Sequence, residues 1–408
     1  MSYICFFILQ NGKNSRKVRK KINNVSVVFK RYLYAEINRT NRLIAIKGAR
    51  GTGKTTLLLQ LAKEYKSDEV LYVALDDLFF SENSLYGLAE KFVTIGGKVM
   101  LIDEVHKYPN WSRELKLIYD DFLSLKVIFT SSSILDIHKG ESDLSRRAVT
   151  YHLAELSFRE YLLLYEKIEL PVLKLQEILK NHALISQQFL EHFTPLKHFS
   201  KYLKIGNYPY FENNEEEYYQ KLRNTVNLIL EVDLQSTENL DFHTLAKLKR
   251  LLFVIASNVP FTPNIQKISD TIQLNRNALV RALQLLNKAA LIRAIYKQTR
   301  SISLLNKPDK IWLHNTNLMF AISGAQVKIG TMRETFFMQN LAHHHLLSLP
   351  NKGDVLVDNT YLFEIGGKNK TKKQIAHVEN AFIVMTALKL GFKTAYPYGF
   401  SGFYIDKS

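Results

Sequence analysis

Short apolar runs alternate with stretches of helical spacing through the first 160 residues. Runs of this kind, bounded by polar or glycine-rich positions, predict buried strands. They lie at 43–46, 69–75, 98–104, 126–130 and 148–153. The stretches 57–64 and 84–93 have helix-forming composition and periodic apolar positions, and they predict the intervening helices. Buried strands alternating with helices predict an α/β fold built on a parallel sheet.

A glycine-rich segment joins the first strand to the first of these helices. It fits G-x-x-x-x-G-K-[ST], the P-loop, in which backbone N–H groups and a helix N-terminus converge on phosphate oxygens. The candidate nucleotide-binding residues are Gly48, Ala49, Arg50, Gly51, Thr52, Gly53, Lys54, Thr55 and Thr56. Lys54 would reach the β- and γ-phosphates, and Thr55 would offer its hydroxyl to Mg²⁺.

Two acids end the third apolar run. Val99 to Ile102 followed by Asp103 and Glu104 is the Walker B pattern. In that pattern the first carboxylate orients Mg²⁺ through its water shell, and the second polarises the attacking water as general base. We therefore assign Asp103 to the metal and Glu104 to catalysis.

The fourth and fifth runs carry further polar candidates. When a Glu follows the Walker B Asp, the fourth strand is expected between the other two, so Ser132 at its end is a candidate γ-phosphate sensor; ordinary turn chemistry explains the same serine equally well. Arg146 and Arg147 precede the fifth strand. Either arginine would neutralise γ-phosphate charge in its own chain or in a neighbouring subunit, and a plain surface position is the alternative.

Composition narrows the class of protein. The 408 residues are 46% hydrophobic, and no apolar run approaches the length of a membrane-spanning helix, so a membrane partner is not expected. The single cysteine excludes an intrachain disulfide and fits a reducing cytoplasm. The net charge of +17 favours an anionic partner, of which nucleic acid is the commonest, although solvated surface is the simpler reading of basic runs.

Several segments together resemble a known prokaryotic group. They are the five strands, the segment 103–107 with Pro109 and Trp111 after it, and the stretch 156–161, which contains Ser-Phe-Arg-Glu-Tyr. The sequence resembles AAA+-related P-loop ATPases that carry a C-terminal domain of unknown function. The resemblance implies an AAA+/ASCE-type core, a helical region, a winged helix-turn-helix and a degenerate restriction-nuclease-like α/β tail.

The predicted order is a basic extension over 1–27, the ATPase core over 28–160, a helical region over 161–242, the winged helix over 243–308 and the tail over 309–408. The extension shows no sustained period and is expected to be loosely ordered, whereas residues 29–37 have helical spacing.

Three helices and a strand are predicted within the winged-helix segment. The helices are 248–256, 264–272 and 275–289, and the strand is 291–296. If the module binds DNA, the third helix would lie in the major groove with Arg276, Asn277 and Arg281 as the contacting residues. The alternative is that the module packs on its own core or dimerises.

The tail has a partial set of nuclease residues. Glu334, Asp354 and Glu364 are placed as in the PD-(D/E)XK pattern that the tail resembles, but Gly366 occupies the position of the hydrolytic lysine. Lys368 would share the face of Glu364 only one residue pair farther along the strand. Nuclease activity is therefore not expected.

These residues favour a Mg²⁺-dependent ATPase that uses hydrolysis to change the conformation of its C-terminal modules. ATP is favoured over GTP because no N-K-x-D motif for guanine is apparent at the expected place. The alternative function is a nucleic-acid-binding protein in which ATP acts as a switch. A homo-oligomer is compatible with either.

Overall fold

The chain folds as two compact units, Met1–Glu155 and Leu156–Ser408. The computed structural model describes residues 12–132, 144–192, 194–234, 241–297, 307–324, 327–366, 375–385 and 395–397.

The first unit is built on a five-stranded sheet in which every neighbouring pair is parallel. Its strands are β1 (Leu43–Gly48), β2 (Val70–Ala74), β3 (Val99–Asp103), β4 (Lys126–Ser132) and β5 (Val149–His152). Their spatial order is β2-β3-β4-β1-β5, so β4 lies between the strand that leads into the P-loop and the strand that carries the two acids. The five predicted strands and the ASCE-type order are confirmed.

Alternate residues of the central strands enter two separate apolar layers. Leu43 and Ala45 of β1 join the cluster on one face of the sheet, whereas Ile44 and Ile46 join the cluster on the other. Side chains of a strand alternate between faces, so a strand that is apolar at every position must be covered on both sides. The covering helices are α1 (Gly12–Asn24), α2 (Leu33–Glu36), α3 (Lys54–Ala62), α4 (Leu85–Thr94) and α5 (Trp111–Asp121).

The N-terminal segment differs from expectation in two ways. Residues 12–24 form α1 and not a loosely ordered extension, because Val18, Ile22 and Val25 recur at helical spacing and pack against the core. Lysines and arginines occupy many of the positions around these three apolar residues, so the helical period of the apolar positions is not evident in the sequence. By contrast, the predicted helix over 29–37 is confined to α2. Residues 1–11 lie outside the described part of the chain.

The second unit begins with the Ser-Phe-Arg-Glu-Tyr segment. Ser157 caps the short helix α6 (Phe158–Tyr161) by accepting a hydrogen bond from the Glu160 N–H, and the Glu160 side chain accepts one from the Ser157 N–H in return. This reciprocal capping box explains why the segment starts a new element. The next helices are α7 (Leu175–His192), α8 (Pro195–Ile205) and α9 (Glu215–Leu228).

Three helices and an antiparallel strand pair follow, in the order that the winged-helix prediction requires. They are α10 (Phe242–Ser257), α11 (Ile265–Ile272), α12 (Arg276–Lys288), β6 (Ile292–Ile295) and β7 (Lys310–Leu313). Asn264 and Asn275 cap α11 and α12 by accepting hydrogen bonds from the N–H groups of Lys267 and Ala278. The helices lie close to their predicted positions, and the assignment of the whole module as a winged helix stays a prediction.

The remaining described residues form two helices and a mixed sheet. These are α13 (Thr316–Ser323), α14 (Ile329–Leu341), β8 (Leu347–Ser348), β9 (Val355–Val357), β10 (Tyr361–Gly366), β11 (Ala381–Met385) and β12 (Ala395–Pro397). The strands lie in sequence order, antiparallel from β8 to β10 and parallel from β10 to β12. One apolar cluster joins Phe158, Tyr202, Trp312 and Phe363, so the helices before the module and the sheet after it share a core.

Within the described ranges, no helix has both the length and the apolar character needed to cross a membrane.

Candidate nucleotide-binding site

The P-loop lies between β1 and α3, at the carboxyl end of the sheet. Gly51 and Gly53 have φ values of 85° and 96°, which only glycine adopts without strain. Gly48 ends β1 in a place where an added Cβ would lie 2.3 Å from the carbonyl oxygen of Leu153. The glycines of the motif are therefore required by backbone conformation at two positions and by close approach at the third.

Gly48→Ala is expected to destabilise the first unit by about 1–3 kcal/mol, because the methyl group can be accommodated only if β5 moves away from β1. Chemical denaturation of the full chain would measure the loss. Gly330→Ala is the control, since a Cβ at that position of α14 meets nothing within 4 Å. Equal stability of the two variants would contradict the close approach at Gly48.

Lys54 begins α3 and lies against the loop that precedes it. Its side chain is buried at 6% exposure, and Nζ donates hydrogen bonds to the carbonyl oxygens of Gly48 (2.9 Å) and Ala49 (3.0 Å). The other predicted loop residues surround it: Thr52 is buried and donates its hydroxyl to the Ala49 carbonyl at 2.9 Å, whereas Arg50 is half-buried and Thr56 is exposed. The loop thus fixes an ammonium group at the helix N-terminus, where anions bind most readily.

The two predicted metal-site residues are in direct contact. Thr55 donates its hydroxyl to Oδ2 of Asp103 at 2.6 Å, and Asp103 is 3% exposed at the end of β3. A threonine hydroxyl and a carboxylate are the hard oxygen donors that Mg²⁺ prefers. The donor chemistry therefore fits the predicted metal.

Glu104 follows Asp103 in a backbone conformation that is unusual for its residue type. Its φ of 54° lies in the left-handed region, which costs a non-glycine residue roughly 1–2 kcal/mol. Its N–H donates to the Thr130 hydroxyl at 3.0 Å, and its carboxylate lies 3.2 Å from Nε2 of His106. The side chain is 25% exposed, so the carboxylate keeps access to water beside the buried Asp103. Strain at a solvent-accessible acid is typical of functional positions.

Ser132 lies beside the P-loop. It is the last residue of β4, is paired in register with Gly48, and is 7% exposed. This places a polar side chain at the edge of the sheet where the loop begins. Its role as a γ-phosphate sensor stays a prediction.

Arg146 and Arg147 lie away from these residues. They precede β5, whose carboxyl end and not its amino end adjoins the P-loop. Arg147 pairs with Asp120 at 2.9 Å near the end of α5, and Arg146 is exposed. In parallel strands the two ends lie at opposite edges of the sheet, so the interpretation that either arginine acts on phosphate in its own chain needs correction. Action in a neighbouring subunit stays a prediction.

Sequence reasoning missed three residues of this region, namely Arg31, Tyr72 and Thr130. Arg31 is 5% exposed and donates to the carbonyl oxygens of Thr52 (2.6 Å), Ala154 (2.7 Å) and Glu155 (3.1 Å), so it ties the loop to the chain after β5. Tyr72 and Thr130 both donate hydroxyl groups to Asp103. No local motif marks these residues, because their roles depend on strand neighbours that only the folded sheet defines.

The exposed positions of α12 agree with the predicted recognition surface. Arg276, Asn277 and Arg281 are all exposed, whereas Leu279 and Leu283 are buried. The helix therefore presents the predicted polar residues to solvent while its apolar residues enter the core.

Two of the three nuclease-like acids of the tail, Glu334 and Asp354, accept hydrogen bonds from other residues of the second unit. Glu334 accepts hydrogen bonds from Lys310 (3.0 Å) and from the indole of Trp312 (3.2 Å), and Asp354 accepts one from the N–H of Ile365 (2.7 Å). Glu364 is 1% exposed in β10, and Lys368 lies outside the described residues. No group of three or more His, Cys, Asp or Glu side chains suited to a metal occurs in the part of the chain that is described.

Comparison with protein families agrees with this geometry. Residues 40–162 match an AAA domain. The matched residues include all five strands of the first unit's sheet and the P-loop. Residues 196–328 match a second family, a domain of unknown function (DUF8612), which spans α8 to α13.

Two curated relatives come from Methanocaldococcus jannaschii. The uncharacterized protein MJ1637 is 29% identical over 294 residues, which cover 67% of this chain and 61% of that protein. The uncharacterized protein MJ1544 is 22% identical over 366 residues, which cover 86% of this chain and 75% of the relative. The match with MJ1637 thus spans about three fifths of that relative's length.

Similar solved structures include two proteins with bound ligands. AMPPCP-bound DnaA from Aquifex aeolicus aligns with a TM-score of 0.27 and 17% identity, over 67% of this chain and 86% of DnaA. The Aeropyrum pernix ORC1 protein in complex with DNA aligns with a TM-score of 0.32 and 12% identity, over 76% of this chain and 92% of ORC1.

Proposed function

We propose that the chain is a Mg²⁺-dependent ATPase. The observation that carries the proposal is the hydrogen bond between Thr55 of the P-loop helix and Asp103 of β3, which joins the phosphate-binding and metal-orienting elements in one buried cluster. A glycine-rich turn that only connects a strand to a helix does not require a buried carboxylate beside its threonine. A metal site that accompanies a bound nucleotide does require one.

Each residue has a defined role in this mechanism. The backbone N–H groups of the loop and the ammonium of Lys54 would bind the β- and γ-phosphates, Thr55 would hold the metal, and Asp103 would orient it through its water shell. Bound Mg²⁺ would supply charge neutralisation to the phosphates. Glu104 would accept the proton of the attacking water. Its carboxylate lies 3.2 Å from Nε2 of His106, and this contact holds it near Asp103.

Hydrolysis then changes the conformation of the C-terminal modules in the proposed function. ATP is the proposed nucleotide because no guanine-reading N-K-x-D motif occurs at the expected place within the P-loop core, residues 28–160. If the protein assembles as a homo-oligomer, Arg146 or Arg147 of one subunit would act on the nucleotide of the next.

Phosphate release from ATP, with and without duplex DNA, tests the proposal. Turnover that requires Mg²⁺ supports the ATPase, and stimulation by DNA would join it to a nucleic-acid function. Nucleotide binding without turnover would favour the ATP switch, and absence of nucleotide binding would overturn the proposal.

A second function, nucleic-acid binding through the module 241–297, is favoured by its charge. This segment has nine lysines and arginines against two acids, and it exposes the polar residues of α12. A basic patch around an exposed helix is the electrostatic footprint expected of DNA binding.

Arg281→Ala is expected to weaken duplex DNA binding by about 1–3 kcal/mol if the arginine reads a base edge. If it contacts phosphate, the slope of log K against log salt should become shallower by roughly 0.9. Fluorescence anisotropy over a salt series measures both quantities. Arg223→Ala is the control, because Arg223 pairs with Glu216 on α9 outside this segment. Salt-insensitive binding, or equal affinity of the two variants, would exclude this role.

A further inference from the structure

The carboxylate of Asp103 receives hydroxyl groups from three different elements. Oδ2 accepts hydrogen bonds from Thr55 of α3 at 2.6 Å and from Tyr72 of β2 at 3.0 Å, and Oδ1 accepts one from Thr130 of β4. β2 and β4 are the two strands that flank β3. The acid is therefore held from both sides of its own strand and from the P-loop helix.

The Tyr72 hydroxyl serves a purpose that packing alone does not require. The side chain is 4% exposed in the apolar cluster that contains Val99 and Leu101, where a phenylalanine ring would fill the same space. Burying a hydroxyl costs roughly 1–3 kcal/mol unless it is hydrogen-bonded. Burial, reinforced by the charge of Asp103, raises the pKa of Tyr72 far above its ordinary value. The buried hydroxyl is satisfied by the hydrogen bond that it donates to Oδ2 of Asp103 at 3.0 Å.

Three bonds of this kind determine which way the carboxylate faces. The terminal torsion of an aspartate is broad, so an unrestrained carboxylate samples many orientations. An ionised carboxylate has about four acceptor positions, and three of those on Asp103 are taken by hydroxyl groups. One acceptor position is left for a water of a bound metal.

Thr130 extends the same arrangement to the neighbouring acid. Its hydroxyl donates to Asp103 and accepts the N–H of Glu104, so one side chain of β4 positions both acids. Thr130 is fully buried, two residues before the end of β4. The Tyr72 hydroxyl donates its hydrogen bond to Asp103, so its removal should act first on the metal-orienting acid.

We propose that Tyr72 is a positioning residue for Mg²⁺, acting through its hydroxyl on Asp103. The proposal rests on the proposed function, because it assigns Asp103 to the metal that accompanies ATP. Its distinguishing consequence is a change in Mg²⁺ dependence that exceeds the change in maximal turnover.

Tyr72→Phe is expected to raise the Mg²⁺ concentration at half-maximal ATP turnover by roughly three- to tenfold, the net effect of losing one typical hydrogen bond. Turnover at saturating Mg²⁺ should fall by a smaller factor. A fluorescent ATP analogue, titrated at fixed Mg²⁺ concentrations, provides a second readout that does not depend on hydrolysis. The same shift is expected there, while affinity without Mg²⁺ stays at the wild-type value.

Tyr151→Phe is the matched control. It also removes a tyrosine hydroxyl that takes part in a hydrogen bond, here with the N–H of Asn38 at 2.9 Å, in the same unit but away from Asp103. Its Mg²⁺ dependence should equal that of the wild type. Thr130→Val should shift the Mg²⁺ midpoint and lower maximal turnover as well, because it releases both acids.

The outcomes separate this inference from the proposed function. If the wild type hydrolyses or binds ATP and Tyr72→Phe has an unchanged Mg²⁺ midpoint, the positioning role is overturned and the ATPase stands. An equal shift in Tyr151→Phe would also overturn it, since the effect would then be structural. If the wild type binds no nucleotide, both proposals fail together.

Discussion

Lys54→Ala is expected to abolish ATP turnover and to weaken ATP binding by at least thirtyfold. The ammonium is a buried cation at the N-terminus of α3, and its removal would deprive the P-loop of the side chain that reaches the β- and γ-phosphates. Removing one member of a buried, hydrogen-bonded charge pair costs about 2–5 kcal/mol, which corresponds to a loss of roughly 30-fold to several thousandfold. Titration with a fluorescent ATP analogue and a phosphate-release assay measure the two effects.

Lys63→Ala provides a matched control for this substitution. The Lys63 ammonium also donates to two backbone carbonyls, those of Asn23 (3.1 Å) and Val25 (2.8 Å), but it lies just after the other end of the same helix. Both substitutions therefore remove one lysine and two hydrogen bonds to carbonyl groups. If Lys54→Ala kept wild-type turnover, or if Lys63→Ala lost as much, the assignment of Lys54 to the phosphates would be wrong.

The parallel sheet could be predicted because its strands are short, apolar and buried on both faces. Residues 43–46 of β1 and 99–102 of β3 are all apolar, as expected of strands that are covered on both faces. The positions of the P-loop and of the acid pair followed from local motifs, in which a few adjacent residues carry the chemistry. The contact between Thr55 and Asp103, 48 residues apart, then follows because both lie at the carboxyl edge of that sheet.

The remaining features of the first unit depend on contacts between residues that are distant in sequence, and spacing along the chain does not reveal such contacts. Tyr72 and Thr130 reach Asp103 because β2 and β4 flank β3. The place of β4 beside β3 was expected from the acid pair, but no local motif indicates that these two side chains contact Asp103. Arg147 was assigned to phosphate by type and distance along the chain, yet it precedes β5 and therefore lies at the opposite edge of the sheet, where it pairs with Asp120. Helix α1 was missed because tertiary packing of a few apolar residues stabilises a segment that is otherwise strongly basic.

Glu104→Gln is expected to separate binding from chemistry. Glutamine has nearly the same shape as glutamate and can still hydrogen-bond with His106, whose ring nitrogen lies 3.2 Å from the Glu104 carboxylate. The N–H of residue 104 keeps its bond to Thr130, so the strained backbone and the orientation of Asp103 are preserved. An amide cannot accept the proton of the attacking water. ATP affinity should therefore stay within about threefold of the wild type while turnover falls by roughly 10²- to 10⁴-fold, the usual contribution of a general base.

Paired measurements of ATP-analogue affinity and single-turnover hydrolysis distinguish this result from a general defect. Glu90→Gln is the control, because it neutralises an exposed glutamate on α4 of the same unit and should leave both quantities unchanged. Turnover retained in Glu104→Gln would remove Glu104 from the role of base and favour another route for the proton. Loss of affinity in parallel with turnover would instead make Glu104 part of the nucleotide- or metal-binding set. Only tight binding without hydrolysis fits an acid that is strained into place beside the metal-orienting carboxylate and acts in the chemical step alone.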